Sequence, residues 1–200
     1  MQKIVVPGEK LSDAQIRIEN TISDSKGTFS CIMGSYDDEK KVLVPLEGLW
    51  NPKRDDQVVG VVEEDKGNMY IINLNAPYKG LMLSKFLEFE LKSGDIITAI
   101  VKELEKGGTV MLLRPRVLEG GKIISVKPSK IPRIIGKGNT MIKQITDGTG
   151  SSITIGLNGV IWLNGGNVDL ATSAILKVEE EAHTSGLTER IRDMLTEKVL

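Results

Sequence analysis

Apolar residues along the first 116 positions come in short runs broken by glycine, proline or acidic turns, a rhythm of strands rather than helices. Lys3-Ile4-Val5-Val6 reads as a strand closed by Pro7-Gly8. Gln15 to Ile22 alternates apolar and polar through Ile16, Ile18, Thr21 and Ile22. Phe29 to Met33 and Lys41-Val42-Leu43-Val44 add two strands, split by the acidic turn Asp37-Asp38. These predict a small β-domain over residues 1–53, ended by Pro52 and the run Lys53-Arg54-Asp55-Asp56. Five further strands are expected over 54–116: Val58 to Val62, Met69 to Leu74, Gly80 to Leu83, Asp95 to Leu104 and Thr109 to Leu113. Short strands with glycine turns suggest a small closed barrel, which leaves no open sheet edge.

From residue 117 the pattern changes. Gly121 to Val126 reads as a strand. Pro128-Ser129 can start a helix, with Ser129 as its cap and Pro132 tolerated in the first turn. A glycine loop at Gly136 interrupts it. Thr140 can cap a second helix with Met141, Ile142 and Ile145 on its apolar side, ending near Gly148 to Gly150. Ser152 to Ile155 and Val160 to Leu163 form a hairpin around Leu157-Asn158-Gly159. Val168 to His183 has helical spacing through Leu170, Ala174, Ile175 and Val178. Gly186 stops that helix, and Leu187 to Leu200 is a final amphipathic one.

Composition narrows the class. With 200 residues the chain can hold one larger or two to three small domains. No stretch offers the roughly 18 consecutive apolar residues of a membrane span, and the N-terminus lacks the apolar core of a signal peptide. Cys31 is the only cysteine, which excludes an internal disulfide and fits a reducing, cytoplasmic setting. His183 is the only histidine, so neither a structural zinc site nor a Cys–His dyad is expected. A nuclease acting alone needs clustered carboxylates for metals or a histidine acid–base pair. The acids here are scattered, so no enzymatic activity and no cofactor are expected.

The net charge of −1 argues against nucleic-acid binding over the whole surface, but its distribution is uneven. Between Gly120 and Thr146 there is no acidic residue, while Lys122, Lys127, Lys130, Arg133, Lys137 and Lys143 give that stretch a charge of +6. Such a block marks a local anion site or, more plainly, a solvated basic surface. Inside it lies Arg133-Ile134-Ile135-Gly136-Lys137-Gly138-Asn139-Thr140-Met141-Ile142-Lys143. A glycine loop between two helices lets a nucleic-acid backbone approach the main chain closely. The second helix then offers unpaired N–H groups and a partial positive charge to a phosphate. The flanking isoleucines supply an apolar floor for bases.

This segment resembles a KH domain, whose GXXG loop clamps a few nucleotides of single-stranded RNA. The sequence departs from that pattern at Asn139, where glycine is usual. Asparagine tolerates positive φ, so the turn can form, but its side chain stands where a ribose-phosphate would approach. The resemblance nominates Lys130, Arg133, Gly136, Lys137, Gly138, Asn139 and Lys143 as RNA contacts. The middle segment resembles an S1 domain, an OB-fold RNA module, through Asp56-Gln57-Val58-Val59-Gly60-Val61-Val62, Gly67-Asn68-Met69-Tyr70-Ile71-Ile72 and Gly94-Asp95-Ile96-Ile97-Thr98-Ala99. S1 surfaces stack bases on aromatics beside basic residues. That nominates Tyr70 and Tyr78 for stacking and Lys66, Lys79, Arg114 and Arg116 for phosphates, with a barrel-wall role as the other reading of Tyr70.

Taken whole, the chain resembles the S1/KH cap subunit of the archaeal exosome. Asn73-Leu74-Asn75-Ala76-Pro77-Tyr78, the segment from Lys127 to Gly136 and the segment from Glu181 to Ile191 carry the match. Val5-Val6-Pro7-Gly8-Glu9 and Val44-Pro45-Leu46-Glu47-Gly48 resemble that family's N-terminal domain. The implied fold is α+β and multidomain: a small β-domain over 1–53, an S1 barrel over 54–116, and a type I KH domain (βααββα) with a C-terminal helix over 117–200. The implied role is non-catalytic. Three caps would sit on a hexameric ring of phosphorolytic subunits, docked by their N-terminal domains. They would capture single-stranded RNA, A-rich tails included, and feed its 3′ end inward. The alternative is a structural adaptor with vestigial RNA surfaces. Trp50, near a domain boundary, is expected at an interface and Trp162 in a core. Cys31 is expected in a strand, and Glu63-Glu64-Asp65 is an acidic turn rather than an ion site.

Overall fold

The computed structural model describes residues 2–45, 48–87, 89–105, 107–182, 184 and 186–197. The chain divides into two compact units, residues 1–48 and 49–200. In the first, strands β1 (Gln2–Val5), β5 (Gly34–Asp37) and β6 (Val42–Pro45) form one antiparallel sheet. Strands β2 (Lys10–Ser12), β4 (Gly27–Ser30) and β3 (Thr21–Asp24) form another. Val5, Leu11, Ile18, Tyr36 and Leu43 make the core. The strand expected over Gln15 to Ile22 starts only at Thr21, because the preceding residues bond to a side chain instead of a ladder. Thr28, fully buried, accepts from the Ile16 N–H at 2.9 Å and donates to the Ala14 carbonyl at 2.8 Å. Asn20, at φ 64°, then turns the chain into β3. Cys31 lies in an exposed bend after β4, not in a strand. Leu46, Glu47, His183 and the last three residues of the expected final helix lie outside the described residues.

In the second unit, β7 (Gln57–Asp65), β8 (Met69–Asn73), β9 (Lys79–Leu83), β10 (Ile96–Glu105) and β11 (Thr109–Val117) close into a barrel. The ring order is β10-β11-β9-β8-β7, and β7 pairs back onto β10. Only β9 and β11 run parallel among these pairs, the arrangement of an OB-fold. Alternate residues of each strand fill the interior, among them Val58, Val62, Ile72, Ile97, Val101, Val110 and Leu112. Trp50 belongs to this core, its indole N–H donating to Asp56 at 2.9 Å and its ring edge meeting Tyr78. The expected interface role therefore does not fall to Trp50.

The remainder runs β12 (Lys122–Ser125), α1 (Ile131–Ile135), α2 (Thr140–Thr149), β13 (Ser152–Ile155), β14 (Val160–Asn164), α3 (Val168–Glu180) and α4 (Leu187–Glu197). The sheet order β12-β14-β13 under α1 to α3 is the type I KH arrangement, and α4 packs onto α2 and α3. Ile131, Ile134, Ile145, Ile161, Leu163 and Ile175 are fully buried between helices and sheet. Ser129 does not cap α1. It lies in a 3-10 turn over Pro128–Lys130, so that Lys130 becomes the residue before α1, which then runs five residues to Gly136 at φ 76°. Thr140 is the first residue of α2, and Asn139 is its cap.

Barrel and KH fold meet through the hairpin turn after β13. Asn158 is 2% exposed and donates to the carbonyls of Val59 and Leu74, both at 2.8 Å, while accepting from the Val59 N–H at 3.2 Å. One side chain thus satisfies three backbone groups of the barrel. The Leu157 N–H adds a bond to the Gln57 carbonyl at 2.8 Å. Around them Val59, Val160 and Trp162 form an apolar cluster with Ile96 and Leu118. Trp162, 8% exposed and bonded to the Gly120 carbonyl, is a core residue as expected, and the core it belongs to is this junction cluster.

Candidate nucleic-acid interface

The loop between α1 and α2 turns on three residues with positive φ, Gly136, Gly138 and Asn139. Gly136 has φ 76° and ψ 167°, and a Cβ there would lie 2.7 Å from the Met141 nitrogen and 2.8 Å from the Met141 Cβ. No other residue fits. Gly138 has φ 62°, with open space for 4 Å around the point where a Cβ would stand, so the backbone there stays bare toward solvent. Asn139 adopts φ 64° and ψ 18°, the left-handed conformation that asparagine tolerates better than other side chains. The departure from the usual glycine therefore leaves the turn intact. The Asn139 N–H bonds back to the Gly136 carbonyl at 3.2 Å, closing the loop.

Beyond the loop, α2 begins with no acidic residue in its first turn and no cap side chain accepting from its first N–H groups. Those donors and the helix dipole suit a phosphate. Lys137 stands exposed in the loop, Arg133 in the last turn of α1, and Lys143 one turn into α2, with Lys130 half-buried just before α1. Six of the seven residues nominated on this segment therefore fall on the loop or on the helix ends that flank it, and Lys130 lies at the far end of α1.

Alongside the loop an open groove of about 470 Å³ is lined by Ile135, Asn139, Ile142, Ile153, Ile155 and Leu157, with Thr154, Asp55 and Gln57. Of the isoleucines flanking the loop, Ile135 and Ile142 line it, joined by Ile153 and Ile155 of β13, while Ile134 and Ile145 are buried in the core. The groove is bounded by β13, an edge strand of the KH sheet. A basic rim with bare backbone beside an apolar trough is the chemistry of a single-stranded nucleic-acid site: phosphates on one side, bases on the other. Asp55 and Gln57 are absent from the residues that the sequence nominates. They belong to the barrel, and no local pattern shows that β7 starts beside β13; only the buried Asn158 turn brings them there.

The barrel residues fare differently. Tyr70 is 4% exposed inside the barrel, and its hydroxyl accepts from the Leu91 N–H at 3.4 Å. It offers no face to a base, which corrects its nomination for stacking: in β8 it occupies an inward-pointing position of the alternation. Tyr78 is half-buried, its ring held edge-on by Trp50 at 6.2 Å. Lys66 pairs with Glu64 and Lys79 with Glu63, each at 3.1 Å. Arg114, at φ 53°, and Arg116, two residues further along, are both exposed on β11. The structure does not bring these barrel residues to the KH groove. The acidic turn is internally satisfied, since Glu63 also accepts from Asn73 and Asp65 from the Gly67 N–H. Among the described residues no three His, Cys, Asp or Glu side chains converge as a metal site, and no helix is long and apolar enough to cross a membrane.

Comparison with known proteins agrees with this geometry. A KH-domain family profile matches residues 121–169, from β12 to the start of α3. The exosome complex component Rrp4 of Thermococcus kodakarensis is 32% identical, over 99% of this chain and 86% of its own length. That of Picrophilus torridus is 33% identical, over 98% of this chain and 93% of its own. A crystal structure assigned to an exosome complex RNA-binding protein superposes with a TM-score of 0.68 at 28% identity, over 76% of this chain and 98% of that one.

Proposed function

The chain belongs to the family of the exosome complex component Rrp4, and from that premise we propose that it is a non-catalytic, RNA-binding cap of a cytoplasmic exosome. It captures single-stranded RNA and guides the 3′ end into a phosphorolytic ring, with three caps on each hexameric ring. The observation that carries this reading is the groove beside the Gly136–Asn139 loop: an apolar trough with bare backbone, an uncapped helix start and flanking cations. In this reading the chemistry falls to the ring.

Docking is ascribed to the first unit. In its sheet β1-β5-β6, Val5, Tyr36 and Leu43 point into the core, so Ile4 and Val42 share the opposite face. They are 68% and 46% exposed, which leaves this face of the sheet open for contact with a ring subunit. A second reading, a structural adaptor, draws on the buried Tyr70 and the ion-paired Lys66 and Lys79, which leave the barrel with little to hold RNA.

Filter binding with labelled single-stranded RNA separates the two readings. The cap reading expects retention that falls as salt rises and that drops at least tenfold when Arg133 and Lys137 are both replaced by Glu, a reversal of two charges at the phosphate rim. Equal retention of RNA and a non-nucleic polyanion, unchanged in that double variant, leaves only the adaptor. A-rich preference is read from the same assay with homopolymers.

A further inference from the structure

The loop beside the groove carries the exposed Lys137, but no Lys or Arg is among the described residues that line the groove itself; its one charged lining residue is Asp55, which stands there with Gln57 of the barrel. Gln57 is fixed in place: its Nε2 donates to the Ile155 carbonyl at 3.2 Å, and its own carbonyl accepts from the Leu157 N–H at 2.8 Å. One of its two amide hydrogens is engaged, which orients the amide, and its Oε1 can still accept. Asp55 is held at φ 70°, its N–H bonded to the Val101 carbonyl of β10 at 2.9 Å. The position is therefore set by the barrel and not by a mobile loop.

A carboxylate repels phosphate, so the Asp55 side of the groove does not continue the backbone track. It suits a group that donates hydrogen bonds. On a base lying over the isoleucine floor, adenine and cytosine present an exocyclic amine, where uracil presents a carbonyl and has only its ring N3–H to donate. We propose that Asp55, supported by Gln57, is a specificity residue of the KH groove: the barrel supplies a base-reading subsite that selects amino-bearing bases against uracil. This rests on the reading of the groove as an RNA site. It also gives the barrel a part in recognition that does not need its own aromatic platform.

The test uses the whole chain and homopolymeric A, C and U RNA of one length, longer than the groove, with fluorescence anisotropy as readout. Asp55→Asn keeps the shape and the tolerance of positive φ, while its amide can also donate to uracil O4. The wild-type chain is expected to bind A and C more tightly than U, and Asp55→Asn to shrink that ratio by roughly five- to tenfold. Removing a negative charge also favours binding to every sequence, so the ratio and not the affinity is decisive. A uniform gain with the ratio unchanged overturns the proposal, as does a wild-type chain that does not disfavour U. Lys137→Glu distinguishes the two levels. If it weakens all three RNAs while Asp55→Asn leaves the ratio alone, the groove binds RNA and only the base-reading role fails. If Lys137→Glu changes nothing, the RNA site itself fails.

Discussion

Single residues decide how the loop works, and Gly136 and Asn139 do so for opposite reasons. Gly136 needs both its φ of 76° and the space of a missing Cβ. Gly136→Ala is expected to destabilise the fold by about 1–3 kcal/mol, read as a lower thermal midpoint, and to weaken RNA binding, because α2 must shift to admit the methyl. Asn139 already occupies the left-handed region, which asparagine tolerates. Asn139→Gly should therefore leave the loop conformation unchanged, cost at most about 1 kcal/mol through the freer unfolded chain, and tighten RNA binding by removing a side chain from the backbone's path. An unchanged affinity would mean that the asparagine side chain does not meet the RNA. Tyr70→Phe makes the complementary case. It removes one long hydrogen bond to Leu91 in the barrel interior, so binding should stay as in the wild type while stability falls by the modest amount of about 1 kcal/mol. A loss of affinity without a loss of stability would return Tyr70 to the binding surface.

At the scale of elements, the sequence showed what local pattern encodes and missed what distant pairing creates. The five barrel strands, the βααββα order and the loop were all legible, because alternation, helical spacing and glycine turns are local signals. The failures share one cause. The strand over Gln15 to Ile22 was spoiled by Thr28, and the cap at Ser129 by the 3-10 turn ahead of Pro132. Trp50, expected at an interface, joined the barrel core because burial depends on which element lands opposite, while Trp162 is buried as expected. Asp55 and Gln57 entered the groove only through the Asn158 turn. That turn predicts its own consequence. Asn158→Ala leaves the N–H and carbonyl of Val59 and the carbonyl of Leu74 without their partner inside an apolar junction. The expected cost is about 2–4 kcal/mol, and it falls on the coupling of barrel to KH fold rather than on either core. Hydrogen exchange reads the difference. The β7 and hairpin amides should lose protection while Ile145, Ile161 and Ile175 in the KH core keep theirs. Uniform loss across all of them would show that the junction is needed for folding itself.

For the molecule as a whole, the weak point of one groove becomes an argument about copies. The groove is open and flanked by only a few cations, so a single chain is expected to hold RNA loosely and with a modest salt slope of about 0.7 per phosphate engaged. If several caps surround one entry, the second groove meets a strand already tethered by the first. Its effective concentration is then set by the strand length between them, and the gain reaches about 10²–10⁴ with no new contact. Two measurements follow. Ile4→Glu with Val42→Glu, on the exposed face of the β1-β5-β6 sheet, should abolish co-purification with ring subunits while leaving RNA binding by the free chain untouched. In the assembled complex, the affinity for RNA long enough to reach two grooves should exceed that of the free chain by at least about a hundredfold, and RNA spanning only one groove should show no such gain. Equal gains for short and long RNA would place the extra affinity in the ring, and the cap would then act by holding the assembly together rather than by sharing its grip on the strand.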